Sequence, residues 1–262
     1  MSNLRFLFAL LFVFFISSAK GLQIKICADD FRGELRLKKN VENISIDILK
    51  KGILELNKET SVVLVLEFLP LPRCLDLLKK GKMDGALNLS YNDERAKFLE
   101  YPPGSGPEEW GICTSVYKVA CSGYVLITLK SNPYNFEGDK KTFPKPVRVV
   151  RGYSIEKEIN PIYKEDLYVG VSNFNNIKQM LETKNGSVVA NFTFPVNIEK
   201  FYEISDQLKI HTKYITMRSY YIPLAKNSKL PKEFREKFWK TVSSVANDTT
   251  VVNELLKSYS KN

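Results

Sequence analysis

A chain of 262 residues, 44% apolar and 26% charged, has the length for one large domain or two modest lobes, and its composition excludes a disordered or collagen-like protein. The formal net charge of +10 admits an anionic ligand or a membrane surface, but lysine and arginine are scattered without the interleaved aromatics of a nucleic-acid platform, so no nucleic acid is expected. The one histidine, His211, and cysteine spacings that fit no zinc signature speak against metal binding and Cys-His catalysis, and no cofactor is expected.

In chain order, residues 1–19 come first. Arg5 precedes an apolar run from Phe6 to Ile16, and Ser17-Ser18-Ala19 supplies a small-x-small site. That is the three-part pattern of a secretory signal peptide, cleaved near Ala19. The run is about half of the roughly 20 residues a spanning helix needs, and no later segment is long enough to span a bilayer. "LQIKICA" alternates as a strand. "NISIDILKKGILELNKE" places Ile44, Ile48, Leu49, Ile53 and Leu56 at helical spacing. "TSVVLVLEFLP" reads as a buried strand, "PRCLDLLKKGK" as a short helix between proline and glycine, and "MDGALNLS" as one further short strand. Strand, helix, strand, helix, strand implies a mostly parallel sheet, whose ligands sit at strand carboxyl ends. Asp30, Phe31, Arg73, Asn88 and Ser90 fall at or near such ends.

"PPGSGPEE" (102–109) reads as a linker. The same outline then returns: "KPVRVVRGYSIEKEINPIY" as strand, glycine turn and helix, "DLYVGVS" as strand, and "FNNIKQMLETKNGSVVANFTFP" as helix, turn and strand. The tail from Leu230 to Tyr259 reads as two helices broken near "NDTT", with Trp239 as packing. Four cysteines in an exported chain allow three disulfide connectivities. Cys113–Cys121 suits a hairpin spacing, which leaves Cys27–Cys74. Sequons occur at Asn43, Asn88, Asn185, Asn191 and Asn247.

Residues 69–103 carry a series of weak motifs. Pro70-Leu71-Pro72-Arg73 precedes the helix, Gly81 and Asp84 close it, and a small-polar run at 86–90 leads to Glu94-Arg95 and then Tyr101-Pro102. In this order they resemble the N-terminal lobe of bacterial extracellular solute-binding proteins, family 3, the polar amino-acid type. "VRVVRGYSIEKE" is similar to the start of that family's second lobe, and the tail is similar to its closing segment. The resemblance implies an α/β, two-lobed periplasmic-binding-protein-like fold (type II), each lobe a central mostly parallel sheet with flanking helices and a ligand cleft between them. Lobe 1 would span 20–110, completed by 220–262, and lobe 2 would span 111–219.

The resemblance also implies a site. Arg95 would pair with a ligand carboxylate, a match for the guanidinium fork, with Ser90 and Asn88 adding hydrogen bonds. A surface ion pair of Arg95 with Asp93 or Glu94 is the plainer alternative. In lobe 2, Tyr153 and Ser154 would sit where a helix N-terminus offers free N–H groups, unless Ser154 is merely a cap. Phe31 would stack on ligand or pack in the core, and Arg73 would reach the cleft mouth or stay on the surface. Trp110, near the expected hinge, is a further candidate contact. The acidic residue that normally holds an amino group in lobe 2 is missing. "GSVVANFTFP" offers Asn191, Thr193 and Phe194 instead, leaving Asp29 or Asp30 to supply charge.

The expected function is capture of a small polar, carboxylate-bearing solute for an inner-membrane ABC permease, by a monomeric periplasmic protein that is not an enzyme. A solute-sensing partner of a membrane receptor is the first alternative. A cyclohexadienyl-dehydratase-like enzyme, with Asp29, Asp30 or Glu34 as acid or base, is the second.

Overall fold

The computed structural model describes residues 21–29, 44–106, 113–191 and 206–259. The expected signal peptide, the lobe boundary at 110/111, Trp110, Asp30, Phe31 and Thr193 lie outside the described residues. Among the described residues, no helix is long and apolar enough to cross a membrane.

The first half of the chain runs β1 (Leu22–Asp29), α1 (Ile44–Leu56), β2 (Val62–Leu69), α2 (Leu71–Lys79), β3 (Gly85–Ala86), β4 (Leu89–Ser90), α3 (Asp93–Ala96) and β5 (Leu99–Glu100). The second runs β6 (Ala120–Leu129), β7 (Val147–Val150), α4 (Ser154–Tyr163), β8 (Leu167–Gly170), α5 (Asn173–Thr183), β9 (Ser187–Asn191), β10 (Leu208–Ile210) and β11 (Thr216–Tyr221). β12 (Leu224–Ala225), α6 (Lys232–Asn247) and α7 (Thr249–Tyr259) close the chain. The strands form two sheets, ordered β2-β1-β3-β12-β5 and β4-β11-β6-β9-β7-β8, with β10 beside β6.

Each sheet is covered on both faces because its strands alternate. In β1, Ile24, Ile26 and Ala28 turn to a core shared with Leu49 and Ile53 of α1 and Phe238 and Trp239 of α6. Cys27 turns the other way, toward Leu71, Cys74 and Leu78 of α2, and a disulfide joins it to Cys74. In the second sheet Leu126, Val149 and Val189 meet Ile155 and Ile159 of α4, while Ile127, Val188 and Ala190 meet Ile177 and Met180 of α5. The second disulfide joins Cys113 to Cys121. The βαβ units are parallel, as their order requires: β1 with β2 and β3, and β7 with β8 and β9. Antiparallel β6, β10 and β11 complete the second sheet.

One sequence expectation changes. "MDGALNLS" forms two dipeptide strands in different sheets: β3 pairs with β1, and β4 pairs with β11. Between them Asn88 adopts a left-handed φ of 59°, which Asn tolerates better than most residues and which turns the chain out of the first sheet. The chain passes back at Ile222-Pro223, between β11 and β12.

The tail is pinned to the first sheet by Arg235. Only 5% exposed, it donates to Glu100 Oε2 (2.8 Å) and to the carbonyls of Ala225 (3.0 Å), Ser228 (2.8 Å) and Leu230 (3.1 Å). Truncation would strand several acceptors at once. Arg235→Ala should therefore cost about 3 kcal/mol or more, read as a fall in denaturant midpoint at unchanged m-value. A loss under about 0.5 kcal/mol would show the network to be incidental.

His211 is also buried. Its Nδ1 accepts from the Phe136 N–H (3.3 Å), so Nε2 carries the proton and donates to Thr128 Oγ1 (3.1 Å). Burial, helped by the Lys209 charge, pushes its pKa below the usual histidine range. The unfolded chain then takes up this proton before the folded one. The stabilisation is complete above about pH 6.5 and is lost as pH falls toward the lowered folded value. The melting temperature should fall below about pH 6.5 more steeply in the wild type than in His211→Gln. Parallel curves would remove His211 from the acid response.

Candidate functional site

The carboxyl ends of β1 and β7 face each other across the seam between the sheets, and four local devices shape what lies there. The first is Asn92, whose side chain accepts the Arg95 backbone N–H (2.8 Å) and caps the single turn of α3. That turn points Arg95 inward, and its side chain is 5% exposed. Nη1 donates to the Ser90 carbonyl (2.9 Å) and lies 3.4 Å from Ser90 Oγ; Nη2 donates to the Gly152 carbonyl of the other lobe (2.9 Å). The Tyr101 phenol oxygen is a further side-chain hydrogen-bond partner of the guanidinium.

The second device is the turn Arg151-Gly152-Tyr153 before α4. Gly152 has φ 82°, the left-handed region where a side chain is strained. A Cβ there would meet Pro72 no closer than 3.6 Å, so glycine serves conformation rather than space. The turn presents the Gly152 carbonyl to Arg95 and its N–H to Glu156 Oε2 (2.6 Å). The cap position belongs to Tyr153, without a side-chain bond, so Ser154 is the first helical residue and not a cap. Its hydroxyl instead meets Ser90 Oγ on the edge strand β4 (3.1 Å) and Tyr124 Oη (3.4 Å).

The third device is the Tyr153 phenol, which donates to Asp29 Oδ2 at the end of β1 (2.7 Å). The fourth is a tyrosine floor. Tyr101 Oη donates to the Ser90 carbonyl (2.8 Å), the acceptor Arg95 also uses. Burial pushes the Tyr101 phenol far up, and neighbouring Arg95 only partly offsets this, so it stays a proton donor across the physiological range. Tyr220, likewise pushed up by burial, accepts at Oη from Asn191 Nδ2 (2.8 Å).

Of the residues singled out in the sequence, the structure brings together Ser90, Arg95, Tyr153 and Ser154. Asn88 lies two residues before Ser90, and its amide oxygen is buried without a partner among the described residues. Arg73 stands apart. The helix α2 turns Leu71, Cys74 and Leu78 to the core, so position 73 falls on the opposite, exposed face. Sequence reading passed over Tyr101, Tyr124 and Gly152 as contacts, because only tertiary pairing sets them beside Ser90, Ser154 and Arg95.

On one side of the seam the lobes form a half-open pocket of about 550 Å³, within the size range of small-molecule sites. Arg95, Gly152, Tyr153 and Ser154 contribute to its wall, with Leu75 and Phe98 as apolar lining. Such a pocket, with a guanidinium in its wall, can hold a small anion with an apolar portion.

No protein-family model matches the sequence, and no curated protein does. Solved structures do match. The substrate-binding protein of an amino acid ABC transporter superposes with a TM-score of 0.68 at 13% identity, over 92% of this chain and all (100%) of its own. A mutant of ArgBP from T. maritima superposes with a TM-score of 0.68 at 13% identity, over 92% of this chain and 96% of its own. A histidine kinase sensor domain with similarity to periplasmic binding proteins also scores 0.68, at 14% identity, over 90% of this chain and 95% of its own. At these identities the likeness is one of fold. The chain has the two-lobed α/β fold of the periplasmic binding proteins.

The Tyr153–Asp29 bond spans the lobes, so the two side chains should be energetically coupled. A double-mutant cycle of Tyr153→Phe and Asp29→Asn should give a coupling of about 1 kcal/mol in unfolding free energy. Additive losses would mean that the seam is held elsewhere.

Proposed function

We propose that the protein is an exported solute-binding protein that captures a small carboxylate-bearing solute between its lobes. It would work in the periplasm as a monomer and deliver the solute to an inner-membrane ABC permease, with no catalytic step. One observation carries this reading: Arg95 is buried at the seam, held by the Ser90 and Gly152 carbonyls, and forms part of the wall of the pocket. The fold supports it, since one protein of this architecture is the substrate-binding protein of an amino acid ABC transporter.

The ligand would act by linkage. Solute held by Arg95 on one lobe and the start of α4 on the other stabilises the closed arrangement by the difference in its affinity for closed and open forms. A transporter can then distinguish loaded from empty protein by shape. A second reading has a specific observation in its favour, the equally similar histidine kinase sensor domain. There the same closure would be read by a membrane receptor. Co-purification with a permease or with a kinase separates the two.

The test is a thermal-shift screen against amino acids, di- and tricarboxylates and short peptides. A ligand at 100 times its Kd should stabilise by about 2.7 kcal/mol, a shift of several degrees. Arg95→Lys keeps the charge but loses the fork and should lose most of that shift. A full shift retained in both Arg95→Lys and Arg95→Ala would remove Arg95 from ligand binding.

A further inference from the structure

We infer that the solute taken at this seam carries two acidic groups, one for Arg95 and one for a lysine rim at the mouth of the same cavity. This rests on the reading of Arg95 as a carboxylate clamp and extends it to the class of ligand. Three lysines line the cavity along with Arg95: Lys79 at the end of α2, Lys97 after α3 and Lys157 on α4. They come from both lobes and are far apart in sequence, so the fold alone gathers them. Against these four cations the wall sets two carboxylates, Glu94 and Glu156, a formal surplus of two positive charges.

The carboxylates do not cancel the cations evenly. Glu156 is committed to the Gly152 N–H and so serves the turn. Glu94 is ion-paired with Lys157 across the seam. The hydrogen-bonded Lys157 ammonium holds the Glu94 carboxyl below the usual range, and Lys97 and Lys79 push in the same direction. Glu94 is thus paired with Lys157 and feels the positive fields of Lys97 and Lys79. Lys79 and Lys97 have no ion-pair partner among the described residues, and Lys79 Nζ stands 5.0 Å from the centroid of the Phe98 ring. A second acid placed at the mouth meets these two lysines. Leu75 and Phe98 line the same pocket and can meet its carbon skeleton. The geometry defines a dicarboxylate or a phosphorylated carboxylate, and disfavours a zwitterion, whose ammonium would face the lysines.

The experiment is isothermal titration of the purified protein with aliphatic dicarboxylates of four to seven carbons, benzene dicarboxylates and phosphonocarboxylates. Each is paired with its monoamide or monoacid counterpart. The expected result is a preference of about tenfold for the diacid over its partner, equivalent to about 1.4 kcal/mol. The preference should weaken with added salt and fall toward unity in the double variant Lys79→Gln with Lys97→Gln. Lys178→Gln, on α5 away from the cavity, should leave it intact. A monoacid bound as tightly as its diacid, or a preference that survives the double variant, overturns the second-acid inference while leaving the Arg95 reading in place. Binding that Arg95→Ala does not weaken overturns the Arg95 reading itself. Failure of every compound to bind overturns both.

Discussion

Everything at the seam depends on one buried guanidinium. An arginine taken out of water must have its charge and its donors met, or the cost is several kcal/mol. Arg95 meets the condition partly through the Ser90 carbonyl and partly through Gly152, which belongs to the other lobe. Its solvation is therefore completed only when the lobes are together. That couples the placement of one side chain to the disposition of two sheets, and it explains why the surroundings are so constrained. Asn92 must cap α3, Gly152 must take a left-handed turn, and Tyr101 must share the Ser90 carbonyl.

The polar contacts that join the lobes here are Arg95 with Gly152, Tyr153 with Asp29 and Lys157 with Glu94. The Tyr153 ring adds an apolar contact, packing against the core that holds Leu71 and Cys74 as well as against its own. Hydrogen bonds of this kind contribute about 1 kcal/mol apiece, so the closed arrangement has a modest lead over an opened one. A modest lead is what a ligand can shift. A seam sealed by a continuous hydrophobic core would stay closed whatever was bound.

Sequence carried the fold further than the site. Alternation in "LQIKICA", helical spacing from Ile44 to Leu56, and the strand-helix-strand order all express local rules, and each appears in the structure. The break in "MDGALNLS" was hidden because Leu87 and Leu89 continue the strand composition while Asn88 turns the backbone. Arg95 and Ser90 were visible through their spacing in a run of motifs. Tyr101 was visible only as a motif residue, and Gly152 only as a turn. Lys79, Lys97 and Lys157 looked like scattered surface charge, since nothing local tells a lysine that α2 and α4 will bring it to one opening. Residues that act by position across long sequence separations are the ones a linear reading misses.

The charge pattern of the two lobes bears on what the seam can hold. Recognition of an α-amino group needs a carboxylate with valence to spare. In the second sheet Asn191 stands where such a group would be looked for, and its amide is spent on Ser122 and Tyr220. Glu158 on α4 is committed to Lys140 and Arg218. Across the seam, Asp29 already accepts from Tyr153. Each of these negative or acceptor groups is engaged within the protein, whereas the pocket wall carries surplus lysines. On the proposed reading of Arg95, a ligand ammonium would enter this pocket at a loss and a second anion at a gain.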